Sequence, residues 1–252
     1  PDDKLRRLAE AGAQIVVVAR SEPALLTLEP ERFIEDVLIR RFHPTHIVEG
    51  PSFGFGRGRK GTPELLAQLS PRFGYQMQIV EPVNTTLDDG HSVMVSSSLI
   101  RNLLSQGRVR EAALCLGYPY TLTGAVVRGV GRGRTLGFPT ANLDILDQLV
   151  PGDGVYAGRA LVGDQPFPCA SSIGPAPTFG GAQRHVETHL LGFNGELYGQ
   201  TLYVEFDRFL RPQRKFASAQ ALIDQLRRDL HAVRTQAERS QFPTPDAEAP
   251  IR

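Results

Sequence analysis

Gly129-Val-Gly-Arg-Gly-Arg-Thr-Leu-Gly-Phe-Pro-Thr-Ala-Asn142 gathers in one run the residue types that hold a polyphosphate. Gly129, Gly131, Gly133 and Gly137 can turn main-chain N–H groups toward an anion with no side chain in the way. Arg132 and Arg134 add positive charge, and Pro139 stiffens the exit. Thr140 and Asn142 offer neutral oxygens, which suit Mg²⁺, a cation usually shared with nucleotide phosphates. The run predicts a phosphate cradle with a metal site beside it. A plain glycine-rich turn has the same glycines; the arginine pair and the two oxygens favour the cradle. A dinucleotide-binding loop needs a helix directly after its glycines, which Pro139 opposes, and no G-x-x-x-x-G-K-[ST] sequence occurs.

His185-Val-Glu-Thr-His-Leu-Leu191 is the next candidate. On a strand, His185, Glu187 and His189 project from one face. Three chemistries fit: a metal triad, a solvated or ion-paired face, or a general base in Glu187 that accepts a proton from an attacking hydroxyl. A second glycine turn, Gly50-Pro-Ser-Phe-Gly-Phe-Gly-Arg-Gly-Arg-Lys-Gly61, follows a strand pattern and precedes a helix pattern. Open α/β sheets bind nucleotides at that position. Gly50, Phe53 and Gly56 would shape such a loop, and Arg57, Arg59 and Lys60 would suit phosphates; a basic surface loop is the alternative. Ser97 and Arg101 add a hydroxyl and a charge near a helix start, where an anion or an ordinary serine cap is expected.

The elements that must position these residues change character along the chain. Gln14–Ala19 is a continuous apolar run, which predicts a strand buried on both faces of a parallel sheet. Pro30 opens a helix with apolar Phe33, Ile34, Val37, Leu38 and Phe42 at helical spacing. Strands follow at Thr45–Glu49 and Tyr75–Val80, with helices at Pro63–Phe73, from Ser97 or Ser98 to Leu103, and Val109–Leu116. Past Tyr118-Pro119, short strands parted by Gly/Pro turns span Thr121–Arg128, Gly154–Val162, Pro168–Ile173, Val186–Phe193 and Thr201–Phe206, which predicts an antiparallel barrel or sandwich. Ser218 caps a last helix whose Leu222, Leu226, Leu230 and Val233 form a stripe for packing on the barrel. The boundary is expected at 117–121, with domains 1–118 and 119–237 and a disordered tail at 238–252.

Composition narrows the partners. The 252 residues carry a formal net charge of +1 and 41% hydrophobic residues, an ordinary globular balance that argues for no nucleic-acid or anionic-membrane partner. No apolar run reaches the ~18 residues of a membrane span. Cys115 and Cys169 make no disulfide framework, which predicts a cytoplasmic protein with reduced thiols.

Together these segments resemble the prokaryotic bifunctional riboflavin kinase/FMN adenylyltransferase (FAD synthetase) family over nearly all of residues 1–237. The likeness rests mainly on Gly131–Asn142, Gly154–Gly158, Pro177-Thr-Phe179, Val186–Leu191, Leu197-Tyr-Gly199, Arg211 and Lys215-Phe216. It implies a Rossmann-like α/β nucleotidyltransferase domain followed by an all-β Greek-key riboflavin kinase barrel with a C-terminal helix. It further implies that ATP phosphorylates the ribityl 5′-hydroxyl of riboflavin to give FMN, with Glu187 as base and Mg²⁺ held by Thr140 and Asn142. Gly50-Pro51, Phe53, Phe55-Gly56 and Gly61, with Ser96-Ser97 and Ile100-Arg101, match the ATP and FMN loops of the adenylyltransferase. Ser52 and Gly54 stand where the family has an acidic and a basic residue; Ala176 and Gly192 depart from common Asn and Asp. The chain opens at Pro1, and neither the family's first strand nor a His-x-Gly-His motif occurs in it. The resemblance thus implies an incomplete adenylyltransferase domain: this polypeptide makes FMN and little or no FAD, while a longer natural chain carries both activities. A flavin- or nucleotide-binding module without catalysis is the alternative, and a hydride-transferring Rossmann enzyme is disfavoured by Pro139.

Overall fold

The computed structural model describes residues 2–20, 22–129, 131–175 and 184–239, with the backbone alone at Asp2, Asp3, Arg132 and Arg239. Contacts within the chain gather it into two compact units that divide between Pro82 and Val83.

In the first unit, α1 (Asp2–Glu10) and α2 (Pro23–Leu26) precede a helical stretch over 30–42. That stretch joins α3 (Pro30–Arg32), a π-helical segment Phe33–Ile39 and α4 (Arg40–Phe42). The wider π turn shifts the side-chain spacing, so Ile34 is buried while Phe42, expected on the same face, is 48% exposed. Strand β1 (His46–Glu49) pairs in parallel with β2 (Gln76–Ile79) across α5 (Pro63–Phe73), as the sequence pattern requires. Helix α5 starts where Thr62 Oγ1 accepts from the Leu65 N–H at 3.4 Å and ends at left-handed Gly74. Ile34, Phe55, Leu66 and Tyr75 form the core, with the Tyr75 hydroxyl donating to the Leu66 carbonyl at 2.6 Å.

Gln14–Ala19 corrects the sequence reading. It takes no strand conformation, and Ile15 and Val18 stand 84% and 75% exposed. An apolar run becomes a buried strand only when neighbouring backbone supplies ladder partners, and no described strand pairs with it.

The second unit begins earlier than the strand pattern suggests. A hairpin of β3 (Asn84–Thr86) and β4 (Ser92–Met94) leads into α6 (Ser97–Ser105) and α7 (Val109–Leu116). The cap of α6 is Ser96, whose Oγ accepts from the Leu99 N–H at 3.2 Å, so Ser97 is the first helical residue. Leu103, Leu104, Val109 and Ala112 share one core with the strands that follow. This structural division lies well upstream of the 117–121 boundary, because α6 and α7 bury their apolar faces against the barrel.

The barrel takes β5 (Tyr120–Val127), β6 (Ala141–Asp144), β7 (Gly154–Val162), β8 (Gln165–Pro175), β9 (Arg184–Leu190) and β10 (Thr201–Arg211), with a single helical turn, α8 (Arg132–Thr135), between β5 and β6. All ladders are antiparallel and close in the order β10-β5-β6-β9-β8-β7. Inward residues, among them Leu122, Leu143, Tyr156, Ile173, Val186, Leu202 and Phe206, fill the interior. Helix α9 (Ala219–Arg239) lays Leu230 and Val233 against Ala157, Ala170 and Leu191, as its stripe predicts. Its packed face also buries Asp229, which receives Arg211 through Nε at 3.0 Å and Nη2 at 2.7 Å. Among the described residues no helix is long and apolar enough to cross a membrane. Pro177–Phe179, Ala176 and the tail from residue 240 lie outside the described residues.

The shared core gives a direct test of the unit boundary. Leu104, 2% exposed, lies on α6 yet packs with the barrel. Leu104→Ala should lower the barrel's unfolding free energy by about 2–5 kcal/mol in urea titration followed by the tyrosine signal. An unchanged transition would place α6 outside the barrel's cooperative unit.

Candidate phosphoryl-transfer site

Strand β9 alternates strictly. Val186, Thr188 and Leu190 are 1%, 0% and 7% exposed and point into the barrel. His185, Glu187 and His189 therefore point outward, and Glu187 is solvent-exposed. Pairing with β6 sets Asn142 opposite Glu187, between the buried pairs Ala141–Thr188 and Leu143–Val186. Thr140, one residue before β6, donates from Oγ1 to Glu187 Oε2 at 3.4 Å. Three oxygen-bearing side chains thus gather on one outer face. On the other side of β9, Ser172 of β8 lies opposite Glu187. Gln213 Nε2 donates to Ser172 Oγ at 3.0 Å.

The glycine run is built around this face. A Cβ at Gly129 would fall 2.2 Å from Asn142 Nδ2, so only glycine leaves room for the carboxamide to lie there. Gly131 and Gly137 hold φ of +74° and +83° in the left-handed region. The single turn α8 fits between them and ends before Pro139; the Phe138 N–H donates back to the Gly133 carbonyl at 2.9 Å. Gly133 in turn abuts the Phe138 carbonyl, 2.5 Å from where its Cβ would be. Pro139 passes its carbonyl to His189, whose Nδ1 lies 2.7 Å away.

Arg134, Pro139 and Thr140 line a cavity of about 80 Å³ together with apolar Val126, Leu190, Phe193, Leu197 and Tyr198 and with polar Thr188 and Glu196. Arg128 stacks over the Tyr198 ring at 5.5 Å. Nothing in the sequence spacing marks Phe193 or Tyr198 as cavity residues. Gly195 and Gly199 mark the turn that carries them, but a turn signal does not say which cavity the turn closes. A larger cavity, about 200 Å³ beneath α9, contains none of the candidate residues.

The donor set decides what cation this face suits. A hydroxyl, a carboxamide oxygen and a carboxylate are hard oxygen donors, which fit a hard divalent cation and not zinc. The His185–Glu187–His189 triad gains no support: among the described residues no group of three His, Cys, Asp or Glu side chains is arranged to hold a metal ion. His189 is engaged with backbone instead.

In the first unit, Gly50, Phe53 and Gly56 lie in one loop after β1, and Phe53 stacks on Phe55 with ring centroids 5.6 Å apart. Gly56 has φ of +69° and packs on Pro30, 2.9 Å from a would-be Cβ to Pro30 Cα. Gly61 accommodates the Phe55 ring. Arg59 lies across Gly54 and donates from Nη2 to the Ser52 carbonyl at 3.3 Å, so its guanidinium occupies the space a side chain at position 54 would take. Ser97 and Arg101 are exposed on the first turns of α6, in the second unit.

A riboflavin kinase family model matches residues 116–237, and an FAD synthetase family model matches residues 1–98. The chain is 35% identical over 228 residues to the bifunctional riboflavin kinase/FMN adenylyltransferase of Escherichia coli strain K12, covering 90% of this chain and 71% of that protein. The Bacillus subtilis strain 168 protein of the same name is 33% identical over 233 residues, at 90% and 71% coverage. A crystal structure described as a macrolide-efflux protein from Streptococcus pneumoniae superposes with a TM-score of 0.82 at 33% identity, covering 93% of this chain and 74% of that one.

Gly129 tests the local geometry without touching the oxygens. Gly129→Ala should push the Asn142 carboxamide off the face, seen as a shifted Asn142 side-chain amide signal by NMR. The atoms met first belong to that one flexible side chain, so Tm should move by no more than a few degrees, as for a change of about 1 kcal/mol. An unmoved Asn142 signal would contradict the close approach.

Proposed function

The chain belongs to the bifunctional riboflavin kinase/FMN adenylyltransferase family, and from that premise we propose that the outer β6–β9 face carries out the kinase reaction. The observation that carries this reading is the register pair Asn142–Glu187 with Thr140 hydrogen-bonded to Glu187. Glu187 accepts the proton of the ribityl 5′-hydroxyl of riboflavin as that oxygen bonds to the γ-phosphorus of ATP. The bond to the β-phosphate oxygen breaks, giving FMN and ADP. Phosphoryl transfer asks little covalent work of the protein, so orientation and charge placement supply most of the acceleration.

Thr140 Oγ1 and Asn142 Oδ1 are the atoms that would hold Mg²⁺. When bound, the ion neutralises charge on the nucleotide phosphates. Gly129, Gly131, Gly133 and Gly137 leave the main chain open to the phosphates. Arg134 and Pro139 border the adjoining cavity, and Arg132 is assigned with them on its place in the run. Phe193 and Tyr198 line the same cavity and offer their rings beside the phosphate end.

By family likeness, Gly50, Phe53 and Gly56 in the first unit are assigned to nucleotide and flavin contact in FAD formation, and Ser97 and Arg101 in the second unit carry the same assignment separately. Arg59 supplies to that loop a cation that Gly54 lacks.

Two substitutions separate the roles. Glu187→Gln keeps the shape but removes proton acceptance, so kcat for FMN formation should fall by about 10²–10⁴ while ATP affinity stays nearly intact. Asn142→Ala should instead raise the Mg²⁺ concentration needed for half-maximal rate. Both are read by chromatography of riboflavin and FMN after incubation with Mg-ATP. Full activity of Glu187→Gln would remove Glu187 as the base, and riboflavin bound without any conversion by the unaltered chain would reduce the barrel to a binding module.

A further inference from the structure

The proposed chemistry uses Glu187 and leaves His189, two residues along the same outward face, without a task. His189 is half-buried, and its Nδ1 lies 2.7 Å from the Pro139 carbonyl oxygen. A carbonyl only accepts, so Nδ1 carries the proton in this contact. Phe138 meets the imidazole edge-on, with centroids 6.1 Å apart and planes at 71°. The histidine therefore engages both residues immediately before Thr140.

That segment needs a tether. The β6–β9 ladder starts at Ala141, so Thr140 stands just outside its register. Pro139 has no N–H to donate. Before it, left-handed Gly137 gives the backbone a sharp change of direction. We propose that His189 is a positioning residue: its Nδ1–H clamps the Pro139 carbonyl and fixes the direction in which Thr140 presents its hydroxyl beside Glu187. The clamp couples β9 to the end of the glycine run at a second point, alongside the Thr140–Glu187 hydrogen bond. This inference rests on Thr140 serving the metal side of the site.

The amide nitrogen of asparagine can overlay imidazole Nδ1, whereas that of glutamine overlays Nε2. His189→Asn therefore keeps a donor where the clamp needs one, and His189→Gln does not. In steady-state FMN formation titrated with Mg²⁺, His189→Gln should raise the half-activating concentration about fivefold to tenfold, the effect of one lost hydrogen bond. His189→Asn should stay within about twofold of the unaltered chain, and the riboflavin KM should be nearly constant in both. Equal impairment of the two variants, or an unchanged metal requirement in His189→Gln, would overturn the clamp. Nitrogen-15 NMR of the unaltered chain gives a readout that needs no variant: His189 Nδ1 should be protonated, and a bare Nδ1 overturns the clamp as well. Asn142→Ala in the same titration separates the two levels. If it shifts the metal requirement and His189→Gln does not, the clamp alone falls; if neither shifts, the metal assignment falls with it.

Discussion

The antiparallel register between β6 and β9 is the constraint on which the site depends. Asn142 faces Glu187 on the outside because Leu143 faces Val186 and Ala141 faces Thr188 on the inside. Side chains alternate with a period of two, so a one-residue slip would turn the polar pair into the core and the apolar pair into water. Burying each of Leu143, Val186 and Leu190 contributes about 1.5–3 kcal/mol, and a slipped register forfeits that for all of them. The hydrophobic interior thus sets the geometry of the polar exterior. Thr188, fully buried, adds to the lock by hydrogen-bonding Ser171 at 2.9 Å inside the barrel.

Other parts of the barrel unit support this register from outside. Helices α6 and α7 cover one side with Leu103, Leu104 and Val109, and α9 covers another with Leu230 and Val233. Tyr156 ties the first of these to the barrel: its hydroxyl donates to the Gly152 carbonyl at 2.5 Å, and burial lifts its pKa to about 12. The Gly152 N–H in turn reaches the Leu104 carbonyl at 2.8 Å. At α9, Gln225 Nε2 donates to Asp229 at 2.7 Å beside the Arg211 pair, so the buried carboxylate is bonded from two directions. Cys169 sits in the barrel wall with its thiol pushed up to about 12 by burial, which keeps it protonated and chemically inert.

The segments of the candidate site are marked by local signals in the sequence, and so is the barrel that carries them. Glycines at 129–137 and the alternation around Glu187 are local signals, and the structure brings those segments together through one ladder. Elements whose state depends on distant partners were less legible. Gln14–Ala19 has the composition of a buried strand, yet composition does not provide the neighbouring strand that would pair with it. The expected 117–121 boundary follows a real change from helices to strands, and the riboflavin kinase family match starts at residue 116; the packing of α6 and α7 on the barrel is a separate contact that periodicity does not show. The pattern places the cap at Ser97 or Ser98, and the bond from the Leu99 N–H moves it to Ser96, because adjacent serines look alike in sequence. The cavity wall at Phe193 and Tyr198 escaped because an aromatic in a turn carries no sign of what it faces. Arg59 over Gly54 is another contact between residues that no spacing rule connects.

The central claim is that Asn142 and Glu187 act as one unit because the ladder holds them face to face. A double-mutant cycle on kcat/KM for FMN formation measures this most directly, using Asn142→Ala, Glu187→Gln and the pair together. Groups that serve one transition state are strongly non-additive. The account predicts that the double variant loses little more than Glu187→Gln alone. A double variant whose loss equals the product of the two single losses would show independent residues and contradict it.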